Sequence, residues 1–126
     1  MLKNLDNRLN AEVLYALRAM GHGDTLVIAD TNFPSDAIAR QTVLGELLRM
    51  DNLTCAQVVE AVLSVLPLDT FVDDFAGRME VVGSPDKIEP VQAEVQAAMT
   101  VVPEPTSIAL LAFGTGLMLR RRRATR

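Results

Sequence analysis

A chain of 126 residues suits one domain, and 49% hydrophobic against 22% charged residues excludes a disordered one. The formal charge of −4 is unevenly spread: residues 1–102 carry 7 Lys/Arg against 15 Asp/Glu, whereas residues 103–126 carry 5 Arg and Glu104 alone. An acidic body repels phosphate backbones, which argues against nucleic acid as a partner. One cysteine, Cys55, and no Cys/His cluster exclude disulfide scaffolds and zinc sites. The first eight residues lack an apolar leader, so the body is expected to be cytoplasmic.

Asn10 can cap a first helix over Ala11–Met20, whose apolar stripe is Val13, Leu14, Leu17 and Met20. Gly21 is expected to stop it in the left-handed conformation. Leu26–Ala29, bounded by Asp24 and Asp30, reads as a short strand covered on both faces. Asn32–Asp36 reads as a turn, because Pro34 restricts its predecessor and cannot donate to a ladder. Val43–Leu48 suits a strand or a helix equally.

Thr54-Cys55-Ala56-Gln57 has the form of a capping box. Behind it Val58, Val59, Val62, Leu63 and Leu66 supply a buried helical face that Pro67 ends. Cys55 falls near that helix's start, where a thiol can be activated, but no second histidine is present to act as its base. Leu68–Val72 reads as a loop entering an extended segment, Arg78–Val82 as a strand, and Val91–Met99 as a final amphipathic helix. Helices alternating with short strands predict an α/β layer structure.

The tail differs in kind. Val102–Ser107 breaks regular structure, Ile108–Leu119 runs twelve residues without a charge, and Arg120–Arg123 follow. Twelve residues fall short of the roughly 20 needed to span a bilayer, which favours a core helix or an interfacial segment. The arginine block pulls the other way, towards membrane contact through 106–123.

The chemistry-bearing stretch is Met20-Gly21-His22-Gly23-Asp24-Thr25-Leu26-Val27-Ile28-Ala29-Asp30-Thr31-Asn32-Phe33-Pro34. It holds the only histidine, in a glycine-flanked turn before the strand, with an acid and an amide just beyond the strand's end. Ligands of open α/β sheets bind beyond the carboxyl ends of strands, so Asp30 and Asn32 suit a polar small molecule. A histidine titrates near neutral pH and can move protons, although a lone one is more often a structural hydrogen-bonder. Phe33 suits either the core or the face of a ligand ring.

This motif, with Met1-Leu2-Lys3, Arg49-Met50-Asp51-Asn52-Leu53, Glu60-Ala61-Val62-Leu63 and Leu66-Pro67-Leu68-Asp69-Thr70-Phe71-Val72, resembles the ribose pyranase / fucose mutarotase family, in its fucose mutarotase branch. The resemblance covers about residues 1–99. It departs at Asn52, where that family usually has Gly. It implies a three-layer α/β sheet with flanking helices, no metal or cofactor, a free monosaccharide such as fucose as ligand, and a homo-oligomer. By the same resemblance His22 matches the catalytic histidine and Asp30 the sugar-binding acid. Asn32, Arg49 and Asp69 are further candidates for substrate contact. For Arg49 a surface ion pair, and for Asp69 a loop-anchoring cap, is the competing expectation.

The family's C-terminal tyrosine block, which supplies further strands and a catalytic tyrosine, has no match here; Tyr15 lies in the first helix. In its place Val102-Pro103-Glu104-Pro105-Thr106, the apolar stretch and Arg120–Arg123 resemble a PEP-CTERM sorting signal, joined to the fold as a C-terminal apolar helix. The expected organisation is therefore an incomplete mutarotase-like domain over 1–100 and a tail over 101–126. Three functions follow as expectations: a mutarotase of reduced or lost activity, a non-catalytic sugar-binding remnant, or a membrane-tethered, surface-sorted protein.

Overall fold

The computed structural model describes residues 2–101. The expected apolar tail helix, its membrane contact and the sorting signal lie outside these residues. In chain order the elements are α1 (Ala11–Ala19), α2 (Ser35–Ala39), α3 (Cys55–Leu63) and α4 (Pro90–Val101).

α1 starts where the Asn10 side chain accepts the Val13 N–H at 2.9 Å, and the same amide donates to the Arg49 carbonyl at 2.7 Å. One residue thus caps the helix and ties it to the chain leading into α3. The helix ends at Ala19 because Met20 swings to extended backbone, φ −63° and ψ 140°. The left-handed stop expected at Gly21 does not occur. Instead the Asp24 carboxylate accepts the Gly21 N–H at 2.7 Å, and Gly23 takes the positive φ of 90° that this tight turn requires.

α3 carries the capping box the sequence predicts. The Thr54 hydroxyl accepts the Gln57 N–H at 3.2 Å, and the Gln57 side chain accepts the Thr54 N–H at 2.9 Å. Just before it, Asn52 sits at φ 60°, the left-handed region. Glycine reaches that region most easily and asparagine next, which explains why Asn replaces the expected Gly without disrupting the turn. The helix stops at Leu63, one turn short of expectation, as the Ser64 hydroxyl donates to the Ala61 carbonyl at 2.6 Å. α4 opens with Pro90 at its first position, where a missing N–H costs nothing, and the Gln92 side chain accepts the Glu89 N–H at 3.0 Å.

The core sits between α1 and α3. Leu9, Val13 and Leu17 meet Ala61 and Val62, with Leu14, Met20, Leu26, Leu48, Met50, Val58 and Leu66 packed around them. Ala61 is fully covered within this cluster. α4 lies along α3 and buries Ala98. At the rim Arg8 pairs with Asp6 at 2.6 Å and with Glu60 of α3 at 3.2 Å, clamping the N-terminal lead-in to that helix.

The strand expectations meet a different outcome. Residues 24–30 form no ladder, and burial alternates: Leu26 and Ile28 are partly covered, while Val27 and Ala29 are exposed. The segment is therefore covered on one face, not on both. Residues 78–82 also form no strand; among the described residues the only bridge is Val81 with Ser84, around Gly83 at φ 76°. A strand is defined by a partner as well as by its own pattern, and neither segment has a ladder partner among the described residues. Val43–Leu48 is neither strand nor helix but a series of bends, with Gly45 at φ 77°. The turn expected at Asn32–Asp36 continues into the short helix α2.

Candidate functional site

His22 projects from the turn after α1. Its side chain is 70% exposed, and its Nδ1 lies 3.4 Å from Oδ2 of Asp69, which is 30% exposed. That separation allows electrostatic pairing but is longer than a good hydrogen bond. Asp69 belongs to the loop that Pro67 starts after α3, so the pair joins the turn after α1 to the loop after α3.

Asp69 acts at two points. Its Oδ1 accepts the Phe71 N–H at 2.8 Å, closing a local turn, while Oδ2 faces the imidazole. The loop-anchoring role expected of Asp69 is thus present, and the same side chain also meets the histidine. Phe71 completes the group: its ring centroid lies 5.9 Å from that of His22, with the planes at 88°. Sequence reasoning missed Phe71 and weighed Phe33 as the aromatic candidate. The available signal was the Asp-x-Phe spacing, which lets a carboxylate hold the backbone two residues on.

The remaining candidates sit as follows. Asp30 caps its own turn, with Oδ1 accepting the Asn32 N–H at 2.9 Å and the Phe33 N–H at 3.2 Å. The carboxylate that faces the imidazole in this structure is that of Asp69. Asn32 is exposed and contributes its backbone N–H to the Asp30 turn. Arg49 pairs with Asp51 at 3.0 Å on the surface, both side chains well exposed. That is the ion-pair arrangement weighed for it, and an exposed pair of this kind contributes little to stability.

A carboxylate facing Nδ1 favours the tautomer protonated there, which leaves the Nε2 lone pair free to accept a proton. The arrangement thus offers a proton acceptor, a carboxylate that positions it, and an apolar ring beside both. Among the described residues no helix is long and apolar enough to cross a membrane.

Comparison with known proteins bears on this site. The sequence model of the RbsD / FucU transport protein family matches residues 3–112. Fucose mutarotase of Bos taurus is 44% identical over 103 residues, covering 79% of this chain and 66% of that protein. Fucose mutarotase of Homo sapiens is 46% identical over 94 residues, covering 75% of this chain and 59% of that protein. The chain therefore spans about three fifths to two thirds of the length of these curated relatives. A crystal structure of protein Atu2016, described as a candidate sugar binding protein, is 62% identical with a TM-score of 0.78 and covers 81% of this chain and 68% of its own.

Proposed function

The chain belongs to the RbsD / FucU transport protein family, matched over residues 3–112, and from that premise we propose that it is a mutarotase for a free monosaccharide of the L-fucose kind. The observation that carries the reading is the contact of the lone histidine with Asp69 inside the stretches that match the family. In this mechanism Nε2 of His22 removes the proton of the anomeric hydroxyl as the bond from the anomeric carbon to the ring oxygen breaks. The ring oxygen takes up a proton from water or from the imidazolium just formed, which restores neutral His22 with no net gain or loss of protons. The open-chain aldehyde turns, and the reverse steps close the ring on its other face. Asp69 is a positioning residue: it acts through the imidazole, holding its orientation. Asp30, Asn32 and Arg49 are the proposed partners for the sugar hydroxyls.

The three-layer α/β sheet belongs to the same proposal. Its candidate strands are the segment 24–30, whose burial alternates with a period of two, and the segment 78–82. A cytoplasmic homo-oligomer is proposed with it; exposed apolar side chains such as Tyr15 and Val27 are surface available to such contacts.

The test is magnetisation exchange between the anomeric protons of L-fucose, D-galactose and D-ribose in the presence of the purified full chain. Acceleration over buffer is expected, and His22→Ala should remove about 10²–10⁴-fold of it, the usual contribution of a positioned proton-transfer group. No acceleration with any of the three sugars sinks the enzyme reading. A second reading, a sugar-binding module without catalysis, is favoured by the likeness to the candidate sugar binding protein. It predicts saturation transfer from protein to sugar with no exchange.

A further inference from the structure

Phe71 is 88% exposed, more than any other aromatic side chain among the described residues, yet it is placed by specific neighbours. Its backbone is pinned by the Asp69 carboxylate at 2.8 Å, and its ring stands at right angles to the imidazole of His22, 5.9 Å away. One carboxylate therefore holds the backbone of the ring and faces the imidazole beside it. No core residue covers that ring, because the loop after Leu68 is exposed throughout residues 70–80.

A pyranose has two kinds of surface. Its hydroxyl edge seeks hydrogen-bonding groups, but those bonds replace equally good ones to water and give little net affinity. Its C–H face is apolar and gains by leaving water against a flat aromatic surface. The group around His22 provides polar groups for the first and, in Phe71, an apolar plane for the second.

We propose that Phe71 is the sugar-binding platform of this site, taking the C–H face of a pyranose whose anomeric hydroxyl is directed to His22. The assignment rests on the mutarotase reading for its ligand class, and it adds a specificity-determining residue to it. Sugars that present a continuous C–H face bind on this platform; those with an axial hydroxyl projecting from each face bind weakly. Removing the ring takes away binding common to the ground state and the transition state, so it raises KM and leaves kcat nearly unchanged.

The chain contains no tryptophan, so Phe71→Trp places a single fluorescent reporter on the platform itself. Titration of this variant with L-fucose should give a saturable emission change at the concentrations where saturation-transfer NMR reports binding. Phe71→Ala should weaken binding about 5–30-fold with an unchanged far-UV dichroism spectrum, and Phe71→Tyr should stay within about threefold of wild type. Sugar bound to the tryptophan variant with flat emission overturns the platform and leaves the mutarotase reading standing. Unchanged affinity in Phe71→Ala, with a changed sedimentation coefficient, overturns it in favour of a subunit contact. If the wild-type chain binds no sugar, both readings fall together.

Discussion

The helical half around α1 and α3 and the loop half around His22 and Asp69 are built on opposite terms. In the first, caps and packing agree: Asn10 and Thr54 satisfy the helix starts, and Leu9, Val13, Leu17, Ala61 and Val62 close on one another. In the second, backbone turns are held by single carboxylates (Asp24, Asp30 and Asp69) while the side chains of His22 and Phe71 stay in solvent. The difference teaches where free energy is placed. Apolar burial holds the scaffold, and the scaffold carries loops whose groups stay accessible and therefore add little to stability.

The sharpest way to break this division is a core truncation. Leu17→Ala removes a buried side chain from the centre of the α1–α3 contact and should cost about 2–4 kcal/mol, read from the urea midpoint. Sugar affinity of the molecules that remain folded should stay at the wild-type value. If affinity falls in step with stability, the two halves are one cooperative unit and the division is wrong.

Asn52 tests the join between them. It lies between the Arg49–Asp51 pair and the Thr54 cap, at φ 60°. A β-branched residue tolerates that conformation poorly, so Asn52→Val should lower stability by about 1–2 kcal/mol. Asn52→Gly should be neutral or slightly stabilising by thermal denaturation, in line with the glycine expected there. Equal midpoints for valine and glycine would show that the turn is not held in the left-handed region.

How much of each half was legible follows from the range of the interactions. The capping box and the Asn10 cap are local signals, three residues or fewer across, and each lies where the pattern placed it. Leu26–Ala29 was harder, because four apolar residues in a row conceal which of them face inward. Coverage of Leu26 but not Val27 depends on the core of α1 and α3 being in place, a tertiary fact. His22 stood out as a lone histidine between glycines. The carboxylate that meets it was not readable locally, since Asp30 is near in sequence whereas Asp69 arrives only because the chain returns after α3.

The smallest expected effect concerns the clamp at the edge of the helical half. The Arg8 guanidinium, and then its backbone N–H, hold the Asp6 carboxyl down to about 2 from an ordinary 3.8. A carboxyl whose folded-state value is depressed adds stability wherever it is ionised in both states. That contribution is complete above about pH 4 to 5 and is lost as the pH falls towards 2. Urea midpoints measured between pH 6 and pH 2 should therefore show Asp6→Asn less stable than wild type at the upper end, with the two curves converging at the lower. Because Arg8 also reaches Glu60, Asp6→Asn leaves one arm of the clamp in place, and the gap at neutral pH should be modest. Raised salt should narrow it further, as expected of a pair in contact with solvent. Parallel curves with no convergence would mean that the aspartate acts through its turn rather than its charge. The lead-in would then be held, like the loops around His22, by a carboxylate accepting backbone N–H groups.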